Sequence, residues 1–135
     1  MDSGQWTVDS EGEGSRAAAS PLVASDFRQL VAYQLAVDLA DSLHSVAARW
    51  SSFDRWSIGV QLVRAADSVG ANIAEAMGRW HVPDRRRLLF VARGSLYETE
   101  HWILRAESRG LIEQGTNNRV NEAGKALNGL IRKPT

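Results

Sequence analysis

The sequence predicts an all-α protein, an up-down-up-down four-helix bundle over residues 26–133 that follows a disordered acidic tail over residues 1–25. Three observations support this fold class. Apolar residues recur at helical spacing in four segments, no segment shows the alternation typical of a strand, and the connections between segments are short. A chain of 135 residues corresponds to one domain.

The N-terminal tail is set apart by composition and charge. It is rich in Ser, Gly, Ala and acidic residues and lacks hydrophobic periodicity, as disordered segments do. Residues 1–26 carry five acids and one base, so the formal charge of zero conceals an excess of bases in the remainder. A mildly basic folded part is compatible with a nucleic-acid partner.

Composition also excludes several classes of protein. Without cysteine the chain has no disulfide, no thiolate metal site and no cysteine nucleophile. No apolar run is long enough to span a membrane, and the acidic start is not a signal peptide. We therefore expect a soluble, cytoplasmic protein without a membrane partner.

The four helices follow in order from their start and stop signals. Helix one is predicted from Phe27 to about Arg49 after an N-cap at Ser25 or Asp26, and its apolar arc is unusually wide. Helix two begins after Asp54 as N-cap and runs to about Gly78.

Helix three begins near Pro83 and Asp84 and ends at Gly110, a glycine suited to the left-handed conformation of a helix stop. Helix four covers about residues 119–132 and is stopped by Pro134.

Helix two is the most informative segment because each of its faces has a distinct composition. One face is an ordinary core stripe, a second is a ladder of polar side chains, and the third consists of small residues. The core stripe comprises Leu62, Ala66, Val69 and Ile73, and the polar ladder comprises Gln61, Arg64, Ser68, Asn72, Glu75 and Arg79. A glycine inside a helix lowers its stability by about 1 kcal/mol relative to alanine, and on a solvated face no contact would offset this loss. We therefore expect Gly70, Ala74 and Gly78 to contact another helix, in a self-associating bundle.

Helix three supports the same prediction with a second apolar seam well around the helix from its core face. The seam has heptad spacing and comprises Phe90, Gly94, Tyr97, His101 and Leu104. Two seams on one helix predict two packing partners, so we assign Phe90, Tyr97, His101 and Leu104 to a subunit interface.

These segments together resemble a known family. QLVRAADSVGANIAEAMGR resembles the hallmark segment of the bacterial four-helix-bundle proteins first noted as products of intervening sequences in 23S ribosomal RNA genes. LLFVARGSLYETE and EAGKALNGLIR resemble the third and fourth helices of that family, and DFRQLVAYQLAVDLADSL its first. One departure is Ala76, where the family usually has glycine.

The resemblance implies a left-handed bundle that assembles as a homo-oligomeric five-fold ring with a central channel. The family includes accessory proteins of diversity-generating retroelements, which look like basic barrels that bind a reverse transcriptase and nucleic acid. For most members no biochemical activity is established, so the resemblance bears more on assembly than on function.

Catalytic and metal sites find little support in the sequence. No hydroxyl or thiol of the polar ladder on helix two stands beside a histidine base in sequence. Glu98 and His101 have the i, i+3 spacing of di-iron bundles, but they lie opposite the core face of helix three. We therefore expect a non-enzymatic protein without metal or cofactor. For the polar ladder we expect a structural role, in which Arg64 and Glu75 pair with Glu98, Arg105 or a neighbouring subunit.

The best functional signal is a cluster of bases at one end of the bundle. In this topology the start of helix one, the end of helix two, the start of helix three and the end of helix four share one end. That end gathers seven candidate nucleic-acid-binding residues: Arg28, Arg79, Arg85, Arg86, Arg87, Arg132 and Lys133. Trp80 and His81 stand among them as stacking groups. The sequence thus predicts a protein that binds RNA or DNA; the alternative is a scaffold that binds only a partner enzyme such as a reverse transcriptase.

Overall fold

The computed structural model describes residues 26–134, and these form four helices with no strand among them. A 3-10 turn, Phe27–Gln29, precedes helix α1, Val31–Ala47. Helix α2 is continuous through Ser52–Asp54, a π-helical segment Arg55–Gly59, and Val60–Met77. Helix α3 is Val82–Ser108 and helix α4 is Asn117–Arg132. The predicted disordered tail lies outside the described residues.

The four helices pack side by side around one core, each against its two neighbours in the order α1, α2, α3, α4 and back to α1. The predicted core stripe of α2 is confirmed, because Leu62 and Ile73 are fully buried and Ala66 and Val69 nearly so. Leu88, Ala92, Leu96, Ile103 and Ala106 supply the buried face of α3. The all-α four-helix fold predicted from periodicity is therefore confirmed.

The turn from α1 to α2 differs in detail from the prediction. Ser51, not Asp54, is the N-cap of α2: its hydroxyl accepts the Asp54 amide at 3.4 Å and donates to the Asp54 carboxylate at 3.1 Å. The first bond is the serine half of a capping box; the second joins the Asp54 carboxylate to the Ser51 hydroxyl instead of to the Ser51 backbone amide. Trp50 leaves α1 and is buried, with its indole nitrogen donating to the Leu111 carbonyl at 3.0 Å.

Gly110 ends α3 as predicted. Its φ of +72° is a left-handed conformation that glycine adopts without the steric cost other residues bear. The Leu111 amide then bonds back to the Ala106 carbonyl at 2.9 Å, which closes the last turn. Of the helices in residues 26–134, none has the length and apolarity needed to cross a membrane.

Glu100 is a buried carboxyl that sequence reasoning missed. Its residue is 6% exposed, on the flank of α3 that also carries Arg93 and Glu107. Arg93 Nε and Glu107 Oε2 are likewise buried and have no hydrogen-bond partner among the described residues. Desolvation raises the pKa of Glu100, because burial penalises its charged form.

We expect Glu100→Gln to stabilise the protein more at pH 7 than at pH 4. Because folding raises the pKa of Glu100, the folded state holds the proton more tightly. The free energy of unfolding therefore falls as pH rises from the ordinary glutamate range through the raised pKa. Glutamine removes this loss. Urea unfolding of both proteins at the two pH values measures it; an equal difference at both would contradict the burial penalty.

Candidate nucleic-acid interface

Hydrogen bonds from α3 join three helix termini at one end of the bundle. The Arg85 guanidinium donates to the Arg79 carbonyl after α2 at 2.6 Å and to the Pro134 carbonyl after α4 at 3.2 Å. Arg86 donates to the Ile131 carbonyl in the last turn of α4 at 3.1 Å. The 3-10 turn that carries Arg28 packs on α2. These contacts bring the chain segments that carry the seven predicted bases to one end of the bundle.

Arg85 and Arg86 have a structural function that the sequence did not reveal. Positive charges at the start of a helix are unfavourable to its dipole, so their position on α3 does not itself explain why arginines stand there. The structure supplies one, because both side chains satisfy carbonyl groups at the C-terminal end of α4, where positive charge is favourable. Hydrogen bonds to neutral carbonyls leave each guanidinium charged, so both still contribute to the potential of this end.

We expect Arg86→Met to lower the free energy of unfolding by about 1–2 kcal/mol, since it leaves a carbonyl of α4 without its charged donor. Urea unfolding measures the change. Arg87→Met is the matched control: Arg87 is exposed and makes no hydrogen bond within residues 26–134, so we expect a change within about 0.5 kcal/mol. Equal effects of the two substitutions would show that Arg86 has no capping role.

Arg28 and Arg79 are engaged in ion pairs with neighbours on their own segments. Arg28 binds Asp26 at 2.9 Å, and the hydrogen bonds from Arg28 hold the pKa of the Asp26 carboxyl below its ordinary value. Arg79 binds Glu75 one turn earlier in α2 at 2.8 Å. Among the described residues Glu75 therefore pairs within its own helix, rather than with Arg105 of α3, the partner expected inside the protomer.

The outward surface of this end consists of exposed bases beside an exposed aromatic side chain. Arg87, Arg132 and Lys133 are exposed, and so is His81. Trp80 is 93% exposed in the connection between α2 and α3. Guanidinium and ammonium groups suit phosphate, and an open indole face suits a nucleobase. We call the seven bases together with Trp80 the basic end.

The middle of the polar ladder on α2 is satisfied inside the protomer. The hydroxyls of Ser68 and Ser95 are 2.8 Å apart between α2 and α3, and the Asn72 amide donates to the Ser68 carbonyl at 2.8 Å. Gln61 and Arg64, nearer the other end, are exposed. The half-buried rungs thus join two helices of one chain, as the structural interpretation predicts.

The predicted interface residues on α2 have different surroundings. Gly70 is buried within the protomer, where a Cβ atom would lie 3.4 Å from the Tyr33 ring of α1. A second subunit is therefore not needed to explain this glycine. Ala74 is half-buried and Gly78 is exposed at the end of the helix.

The predicted seam on α3 lies at the protomer surface. Phe90 is 48% and Leu104 46% exposed, His101 is exposed, and Tyr97 is half-buried. A Cβ atom on Gly94 would have nothing within 4 Å. We call Phe90, Gly94, Tyr97, His101 and Leu104 the α3 stripe. Phe90, Gly94 and Leu104 form its exposed apolar part, whereas Tyr97 packs partly against the core and lies under the Arg93 guanidinium.

The Glu98 and His101 pair contacts a tryptophan. Glu98 accepts the indole N–H of Trp102 at 3.1 Å, and the His101 ring packs edge to face on Trp102 with centroids 4.8 Å apart. In the part of the chain that the structure describes, no three His, Asp or Glu side chains form a group that would hold a metal ion.

Comparison with known proteins identifies the family. Residues 28–133 match the family described as 23S rRNA-intervening sequence protein, which covers the whole bundle. No curated protein matches the chain significantly. The chain belongs to the 23S rRNA-intervening sequence protein family, as its helix motifs predicted.

Proposed function

We propose that this member of the 23S rRNA-intervening sequence protein family is a non-enzymatic, homo-oligomeric accessory protein that contacts RNA or DNA through its basic end. The subunits form a ring, as in the five-fold assemblies implied by the resemblance. The α3 stripe supplies part of the subunit interface. The observation that carries the nucleic-acid function is the gathering of exposed bases around Trp80 at one end of the bundle.

Self-association is supported by Gly94 and its surroundings. Glycine in the middle of a helix costs about 1 kcal/mol relative to alanine, and nothing in the protomer requires a glycine at this position. The exposed Phe90 and Leu104 side chains extend the same face. A second protomer packed closely against Gly94 accounts for both the missing side chain and the exposed apolar groups.

Nucleic-acid binding is supported by the balance of charge at the basic end. Seven bases stand there against three acids, Asp26, Glu75 and Asp84. In a ring, the basic ends of successive protomers join into one cationic rim. Such a rim attracts phosphates and releases the counterions bound to them, which makes the affinity depend on salt.

Two measurements on the unmodified protein test the proposal. Light scattering should give a mass several times the 14.9 kDa of one chain. Fluorescence anisotropy with labelled single-stranded RNA and duplex DNA should show binding at low salt that weakens linearly on a log–log plot as salt rises. Absence of binding to both at low salt would reject the nucleic-acid function. Capture of a partner enzyme such as a reverse transcriptase by that same protein would then favour the alternative scaffold function.

A further inference from the structure

A second surface feature lies at the opposite end of the molecule from the basic end. It is a groove of about 250 Å³ between the C-terminal part of α1 and the N-terminal part of α2. Its lining includes the apolar Ala48, Trp56 and Val60, together with His44 and two arginines, Arg55 and Arg64. No acidic residue is among the described side chains that line it.

The groove results from how the chain leaves α1 and starts α2. The π-helical segment Arg55–Gly59 places Gly59 where a Cβ atom would be 3.5 Å from the ring of Trp50. Trp56, in the same segment, is left 72% exposed. Arg55 reaches back to the Ala48 carbonyl at 3.4 Å and closes one side. An apolar lining with two guanidinium groups suits an apolar segment that carries acids.

The chain itself contains a segment with that chemistry. Trp6 and Val8 are followed by Asp9, Glu11 and Glu13 before the first described residue. Its apolar side chains match the apolar lining of the groove, and its carboxylates match the two guanidinium groups, Arg55 and Arg64. This complementarity concerns both charge and hydrophobicity.

The tether is long enough for this segment to reach the groove. Val8 lies 18 positions before Asp26, and an extended chain spans about 3.3 Å per residue, so the tail reaches about 60 Å. The groove lies about one length of α1 from Asp26, and a helix of 17 residues is about 25 Å long. Tethering also raises the local concentration of the segment to about the millimolar range.

We propose that residues 6–13 dock in this groove of their own chain, with Trp6 and Val8 on its apolar lining and the acids facing Arg55 and Arg64. The tail is then a built-in ligand of the α1–α2 groove. This inference is independent of nucleic-acid binding, because the groove and the basic end are at opposite ends of the bundle.

Disulfide trapping tests the proposal cleanly, because the full chain contains no cysteine. The pair Val8→Cys and Ala48→Cys should form an intramolecular disulfide under mild oxidation, detected by peptide mass spectrometry. The matched control pairs Val8→Cys with Ala71→Cys. Ala71 is exposed on α2 and shares a surface depression with Phe27, so it lies nearer the tether point. A tail without preference would reach Ala71 at least as fast.

We expect the Ala48 pair to form about tenfold faster than the control, the ratio given by ~1.4 kcal/mol of docking free energy. Arg64→Glu in the same double-cysteine chain should reduce this advantage, and adding Asp9→Arg with Glu11→Arg should restore part of it. Equal rates for the two pairs would overturn the proposal. Disulfides found only between two chains would overturn it as well, because the occupant would then be a neighbouring copy.

Discussion

If the proposed ring is held together by the α3 stripe, glutamate at Phe90 and Leu104 together should leave a monomer with a mass near 14.9 kDa. Both side chains are about half exposed in the protomer, so charge there leaves the bundle itself intact within about 0.5 kcal/mol. In a subunit interface, each unpaired carboxylate costs about 3 kcal/mol when buried. Two of them weaken association about ten-thousandfold. Light scattering at micromolar concentration measures the mass.

Two further variants separate a specific interface from general surface effects. Val31→Glu is the matched control, because Val31 is 41% exposed on α1, away from the α3 stripe, and its charge should leave the mass unchanged. Gly94→Ala should have opposite effects on an isolated protomer and on a protomer in an assembly. In an isolated protomer it stabilises the helix by about 1 kcal/mol, since the added methyl group meets nothing; in a close interface it weakens assembly. An unchanged mass for the double glutamate variant would exclude the α3 stripe as an interface.

Helix positions and core faces followed from the sequence because they depend on local periodicity. Leu62 and Ile73 lie on the same apolar face of the helix, and this face leaves water only when it turns towards the core. Gly110 was assignable as a helix stop for a similarly local reason, its freedom to adopt positive φ.

The start of α2 was predicted less well because two neighbouring residues competed for one role. Ser51 and Asp54 are both residue types that cap helices, and the amide of Asp54 donating to the Ser51 hydroxyl identifies Ser51 as the cap. The π-helical turn that follows had no signal in the apolar pattern. It accommodates the buried Trp50, whose partner carbonyl on Leu111 lies 61 residues away in sequence.

The candidate site was predicted in position but not in the role of each base. Topology alone placed the seven bases at one end, because four helix termini meet there. The roles of Arg85 and Arg86 depend on carbonyls of α4 that lie 45–49 residues further along the chain. No local pattern encodes such contacts. Arg87 and Lys133 remain without a hydrogen bond or ion pair within residues 26–134, which makes them the sharper test of binding.

If the basic end binds nucleic acid as proposed, charge reversal of this pair, Arg87→Glu with Lys133→Glu, should abolish most of that affinity while leaving stability and mass unchanged. Both side chains are exposed, so the fold does not depend on them. Each lost phosphate contact lowers the salt slope by about 0.9 for duplex DNA. Two lost phosphate contacts weaken binding about sixty-fold at 0.1 M salt relative to 1 M, before the added repulsion of the carboxylates. Anisotropy titrations at several salt concentrations measure both affinity and slope.

The conservative pair Arg87→Lys with Lys133→Arg keeps both charges and is the matched control. Because counterion release depends on charge more than on side-chain shape, this variant should retain the affinity within a few-fold and the same salt slope. Reversal that leaves the slope unchanged would mean that phosphates lie elsewhere on the surface. Loss of binding in both variants would mean that the geometry of one guanidinium matters more than charge, as in a bidentate contact to a base edge rather than to the backbone.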